Sequence, residues 1–311
     1  MCVYCVYKVC TIYTVCTIHE PLVLALDIRG YKLNLLEIKN LSKKYPAFTL
    51  KDVSFSLEEG YIMGFIGRNG AGKTTTLKAM LNLIHPESGD VKINGFDIKT
   101  NETEIKQSIG FVTGLDGFYS TKKIKTVTNV TKRFFKNWDE ALYRELMEKF
   151  ALDENKKIKE LSAGMKVKYQ IALAMCHGAQ LLILDEPTSG LDPVSRDELV
   201  ILFQDYIADG KHSILFSTHI TSDLEKCADF ITYIKKGEII ESTDVVSFKE
   251  KYLLVSGDDA KLDDARKAKV IGYHKTHVNF EGMIPASLKE EFSDFELTGP
   301  GLEDIMVHIE R

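Results

Sequence analysis

This chain is short of cysteine, of cationic excess and of long apolar runs, and each shortage excludes something. Of its six cysteines, Cys2, Cys5, Cys10 and Cys16 crowd the start, and only Cys176 and Cys227 lie beyond. No disulfide framework therefore holds the bulk of the chain, and those two thiols suit a reducing compartment. A net charge of −5 over 311 residues argues against nucleic acid as a partner. A spanning helix needs about twenty apolar residues, and His19, Glu20, Pro21 and Asp27 interrupt the one stretch near the start that begins to qualify. That stretch also lacks the charged start and clean apolar run of a signal peptide. Late in the chain, His274, His277 and His308 have no Cys or carboxylate partners at metal-ligand spacing, so they read as solvated or packed histidines.

Residues 1–34 are low in complexity, with Cys-Val-Tyr repeated at Cys2 and Cys5 and Val-Cys-Thr-Ile repeated at Val9 and Val15. Three readings compete: a membrane-associating segment, a Cys-X-X-Cys metal or redox site, and a non-native extension. Cys10 and Cys16 are poorly spaced to complete a metal site. A disordered or non-native extension is the expectation.

The informative segment is Gly67-Arg68-Asn69-Gly70-Ala71-Gly72-Lys73-Thr74, a complete G-x-x-x-x-G-K-[ST] phosphate loop. The short apolar run Tyr61–Ile66 before it reads as a buried parallel strand, and Leu77, Met80, Leu81 and Ile84 after it fall at helical spacing. Gly67, Gly70 and Gly72 let the backbone approach phosphate closely, with Asn69 and Thr75 in the same turn. Lys73 offers a positive charge to the β- and γ-phosphates, Thr74 a hydroxyl to Mg²⁺, and the helix start its free N–H groups. A nucleoside triphosphate is the expected ligand. Downstream, Leu181-Leu182-Ile183-Leu184 reads as a strand buried on both faces and ends on Asp185-Glu186, at the sheet end where ligands bind. Asp185 is placed to hold Mg²⁺, and Glu186 to orient or deprotonate the attacking water. On its own, such a pair can also be a solvated acidic turn, the lesser reading; the phosphate loop decides for chemistry.

Between these sites stands Leu161-Ser162-Ala163-Gly164-Met165, opening a helix-patterned segment, and beyond them Thr188-Ser189-Gly190-Leu191-Asp192 and Ser217-Thr218-His219. The order of these motifs from about Leu35 to Glu241 resembles the ATP-binding cassette (ABC) ATPases, the motor subunits of membrane transporters. The resemblance implies an α/β fold: a P-loop core with an antiparallel β subdomain and an inserted helical subdomain at about 117–170, the whole cassette covering 35–245. By the same resemblance, Leu161 to Met165 are the signature that closes over nucleotide held by another subunit, Ser189, Gly190, Leu191 and Asp192 the D-loop, and His219 the switch histidine. Tyr45 is implied to stack on adenine. Two MgATP are expected at a head-to-tail homodimer or paralogue heterodimer, which acts on a separate transmembrane permease subunit from the cytoplasmic face of the membrane.

The chain departs from the family where a Mg²⁺-linked glutamine usually follows the Ile109–Val112 strand: here stand Thr113-Gly114-Leu115-Asp116-Gly117, which makes Asp116 the candidate substitute. Ala163 and Met165 replace the commoner Gly and Gln of the signature. The aromatics Phe118, Tyr119, Phe134, Phe135 and Trp138 suit the helical subdomain, where family members receive the permease's coupling helix. Residues 246–311 read as a small α+β appendage like the tails of exporter cassettes. The alternative is a soluble ABC ATPase acting on a non-transport partner. Those acting on ribosomes usually carry two cassettes, and the DNA-repair kind a long coiled coil; neither is seen here.

Overall fold

Three sheets organise the protein in a computed structural model that describes residues 34–113 and 119–311. The expectations for residues 1–33 and for Asp116 and Phe118 lie outside the described residues. From the first described residue the order is β1 (Asn34–Tyr45), β2 (Phe48–Glu58), β3 (Ile62–Ile66), α1 (Lys73–Met80), β4 (Ser88–Ile93), β5 (Phe96–Asp97), α2 (Glu102–Gln107) and β6 (Ile109–Val112). There follow α3 (Ile124–Thr131), α4 (Glu140–Lys149), α5 (Ala163–Cys176), β7 (Leu181–Asp185), α6 (Pro193–Ile207), β8 (Ser213–Thr218) and α7 (Thr221–Cys227). The last third comprises β9 (Phe230–Lys235), β10 (Glu238–Asp244), α8 (Val245–Glu250), β11 (Tyr252–Asp258), α9 (Asp264–Lys267), β12 (Ile271–Lys275), β13 (Asn279–Pro285), β14 (Glu296–Thr298) and α10 (Leu302–Glu310).

The central sheet runs β10-β9-β3-β8-β7-β6, and all its pairings are parallel except that of the edge strand β10. Every residue of β3, β7 and β8 is buried, as a parallel sheet covered on both faces requires. The antiparallel sheet β2-β1-β4-β5 instead alternates buried and exposed positions along β2, burying Leu50, Val53, Phe55 and Leu57. Its core is continuous with that of β3 through Phe55 and Phe65, whose rings lie 5.4 Å apart.

Helices α3, α4 and α5 pack around Ile124, Val127, Leu146, Met147 and Val167. A buried polar knot joins them: the Thr128 hydroxyl lies 3.0 Å from the Tyr143 hydroxyl and 2.9 Å from that of Tyr169. Asp139 caps α4 by accepting from the amides of Ala141 and Leu142, which sets the helix start at Glu140.

The third sheet, β12-β13-β11-β14, is wholly antiparallel and has its own small core of Val255, Phe280, Ile284 and Phe292. Helix α10 turns back: Leu302 and Ile305 join the same cluster as Leu224 and Tyr233 of the central sheet layer. Residues 34–113 and 119–311 thus belong to one compact unit.

Candidate functional site

The phosphate loop leaves the carboxyl end of β3 and enters α1 at Lys73, between strands β8 and β9. Two of its glycines are required by space as well as by turn. A Cβ on Gly67 would stand 2.3 Å from the Ile234 carbonyl oxygen, and Gly72 caps α1 at φ 117° with the Phe48 ring 2.8 Å from where a Cβ would sit. The loop therefore rests directly on β9 and on the β1–β2 turn.

Lys73 is only 6 % exposed. Its ammonium donates to the Gly67 carbonyl oxygen at 2.7 Å and lies 3.2 Å from Oε1 of Glu186. The Thr74 hydroxyl donates to Asp185 Oδ2 at 2.9 Å, and the Ser217 hydroxyl to Asp185 Oδ1 at 2.6 Å. Glu186 takes a left-handed backbone at φ 52°, held by its amide donating to the Ser217 carbonyl oxygen at 2.9 Å. Such a conformation costs on the order of 1 kcal/mol for a residue with a Cβ, and it persists where the surroundings over-determine it. It aims the carboxylate across the strand ends, where Oε2 meets Nδ1 of His219 at 2.7 Å. Lys73, Thr74, Asp185, Glu186 and His219, read from separate segments, thus converge at the ends of β3, β7 and β8.

All of them but Asp185, which lies behind Thr74, border a cleft of about 610 Å³ lined also by Arg68, Asn69, Gly70, Thr75 and Ser189. At its far wall stand Ala47 and Phe48. Tyr45 ends β1 beside them, 38 % exposed and paired with Phe48 across the turn. Sequence reading missed Phe48, because nothing local distinguishes it from any other aromatic at the start of a strand.

Ser162 caps α5, its hydroxyl accepting from the amide of Met165 at 3.2 Å, and the side chain remains exposed. Gly164 is buried against Ser195, whose Oγ would lie 3.3 Å from an added Cβ. Leu161 and Met165 pack into the helical core. None of Leu161, Ser162, Ala163, Gly164 or Met165 lines the cleft of their own chain. Asp192 caps α6 through the amides of Val194 and Ser195 and accepts from the Ser195 hydroxyl at 2.7 Å, a bond that holds its carboxyl below the usual range. Gly190 turns at φ 74°, and Leu191 packs inward.

A phosphate loop, an acidic pair after a buried strand and a histidine bonded to the second acid thus meet at one end of the central sheet. Residues 50–189 match the family model described as ABC transporter. The ABC transporter ATP-binding protein YtrB of Bacillus subtilis (strain 168) is 32 % identical over 71 % of this chain and 76 % of its own. The chain belongs to the ABC transporter ATP-binding proteins. The bacitracin transport ATP-binding protein BcrA of Bacillus licheniformis is 33 % identical over 80 % of this chain and 84 % of its own. A solved structure described as the ATP binding subunit of an ABC transporter superposes with a TM-score of 0.63 at 28 % identity, covering 69 % of this chain and 92 % of that one.

This ABC protein is accordingly an ATP-binding subunit of a family that hydrolyses ATP, and its α/β P-loop fold is that of its structural neighbours. Among the described residues no helix is long and apolar enough to cross a membrane. ABC ATP-binding subunits work with transmembrane permease partners, and one structural neighbour is described as part of the cbiONQ transporter complex.

Proposed function

We propose that this chain is the motor of a membrane exporter, in which two copies, or one copy and a paralogue, close head to tail over two MgATP and drive a separate permease. The observation that carries the reading is the placement of Glu186, 3.2 Å from the Lys73 ammonium and 2.7 Å from His219 Nδ1 at the carboxyl ends of the strands.

The Thr74 hydroxyl and the Asp185 carboxylate, 2.9 Å apart, are hard oxygen donors of the kind Mg²⁺ takes. Bound there, Mg²⁺ would neutralise charge on the β- and γ-phosphates. Lys73 would exchange the Gly67 carbonyl and Glu186 for phosphate oxygens. Freed of that ion pair, Glu186 would accept the proton of the attacking water, as the water oxygen bonds to the γ-phosphorus and the bond to the ADP oxygen breaks. His219 would keep Glu186 aimed and touch the γ-phosphate, and the aromatic pair Tyr45 and Phe48 offers faces to adenine.

The need for two chains has its support in the signature: the exposed Ser162 hydroxyl and the free amides of α5 form an anion site that their own cleft does not use. Ser189 at the cleft and Asp192 at the start of α6 would lie along the same interface. For the permease, a groove of about 360 Å³ is lined by Leu83, Phe111, Phe135, Leu173 and His177, between the core and the helical layer. Export as the direction rests on the appendage and on the likeness to BcrA, named for bacitracin transport. The test is purification of tagged chain from detergent-solubilised membranes. A polytopic partner that raises ATP turnover is the expected result; soluble partners only, with turnover unmoved by membrane extract, would overturn the transport reading.

A further inference from the structure

The last turn of α10 ends beside the phosphate loop. Glu310 uses its two carboxylate oxygens on two different elements of the nucleotide site. Oε1 accepts from the Tyr233 hydroxyl at 2.6 Å, and Oε2 lies 3.9 Å from the Arg68 guanidinium. Arg68 is the second residue of the phosphate loop and lines the cleft. Tyr233 lies fully buried on β9, in register with Ile66, the residue from which the loop departs. Two residues on, the Lys235 ammonium donates to the Ile309 carbonyl oxygen at 2.6 Å, placing a cation at the negative end of α10. Between them Ile234 supplies the carbonyl on which Gly67 rests. The stretch 233–235 that floors the phosphate loop is therefore the stretch that anchors the appendage's final helix.

The helix is held there at both ends. The Leu302 amide donates to Glu225 Oε1 at 2.7 Å, and Leu302 and Ile305 are fully buried against the ATPase core. Glu310 is itself largely shielded, its side chain 14 % exposed, while that of Arg68 is 67 % exposed. A shielded carboxylate thus faces an exposed guanidinium that a triphosphate would also attract.

We propose that α10 is part of the ATP site, with Glu310 a positioning residue that restrains Arg68 and so sets how tightly the loop takes nucleotide. Anything that lifts α10, whether a partner on the appendage or strain from the third sheet, would release Arg68 to the phosphates and strengthen ATP binding. The inference rests on the reading of the cleft as the ATP site, which Lys73→Ala tests separately by abolishing ATP binding.

The experiment is ATP titration of turnover in the full chain. Glu310→Gln keeps an acceptor for Tyr233 and removes the charge. It should lower KM for ATP by about two- to fivefold, the range of a partly exposed ion pair, and leave kcat unchanged. The same substitution made in an Arg68→Ala chain should then move KM no further. A Glu310→Gln chain with unchanged KM, or one whose shift persists without Arg68, overturns the proposal. ATP affinity measured by equilibrium dialysis guards against a turnover change that comes only from altered folding, because a merely structural role would lower kcat and the melting temperature instead.

Discussion

Replacing Glu186 by glutamine changes one oxygen to an amide nitrogen and keeps the side chain's shape, so the consequences can be worked from its two neighbours. The carboxylate is bonded to His219 Nδ1 at 2.7 Å and paired with Lys73 at 3.2 Å. Loss of the base should slow hydrolysis about 10²- to 10⁴-fold, roughly 2.7–5.5 kcal/mol in the barrier at about 1.4 kcal/mol per decade. Binding should move the other way. At 3.2 Å and an effective dielectric near 20, the Lys73–Glu186 attraction is roughly 5 kcal/mol before desolvation. Most of that is offset by what both groups lose in leaving water. ATP must displace the remainder in the wild-type chain and need not in the variant. Affinity should therefore hold or rise, by no more than about tenfold, and the unhydrolysed complex should persist as a closed dimer. Single-turnover hydrolysis with radiolabelled ATP, equilibrium dialysis and light scattering with ATP separate the three effects. A Glu186→Gln chain that hydrolyses within threefold of wild type would refute the assignment of the base, whatever its affinity.

Two other perturbations probe different parts of the molecule. Gly164→Asp puts a carboxylate at the start of α5 against the Ser195 hydroxyl, where another subunit's γ-phosphate is expected; ATP should still bind each chain, but ATP-driven dimerisation in light scattering should disappear, and dimers forming normally would contradict the signature's role. His177 is buried, stacked 3.9 Å from the Phe135 ring, and its Nε2–H donates to the Ile109 carbonyl oxygen. Burial pushes its pKa below the ordinary value of about 6.5. The unfolded chain then binds the proton first, so this contribution to stability is fully present above about pH 6.5 and is lost as pH falls, by at most about 1.4 kcal/mol per pH unit. Denaturant midpoints between about pH 5 and 7 should show that slope in the wild-type chain and lose it in His177→Gln; equal slopes in the two would show that other groups carry it.

The phosphate loop was legible because all its requirements are local: the glycines, the lysine and the hydroxyl sit in one turn whose flanking strand and helix announce themselves by periodicity. Asp185 and Glu186 were legible for a related reason, since four aliphatics in a row fix a buried strand and the acids follow at its end. The appendage over 246–311 was legible as α+β, but the destination of its last helix, α10, was not. That α10 bridges its own sheet, where His308 meets the Gly272 carbonyl oxygen of β12, and β9 of the core depends on how its apolar faces fit both, and no spacing in the chain records that arrangement. The same holds for Phe48, which becomes a wall of the cleft only because the antiparallel sheet brings the β1–β2 turn over Gly72.

By itself, then, the sequence determined which residues are offered to phosphate and metal, because those requirements are written in short runs of residue types. Only the tertiary structure decided what that chemistry is connected to: Glu186 to Lys73 and His219, and Arg68 to the last turn of α10. Those links join residues far apart in the chain, and their existence depends on how the sheets and helices bury their apolar faces against one another.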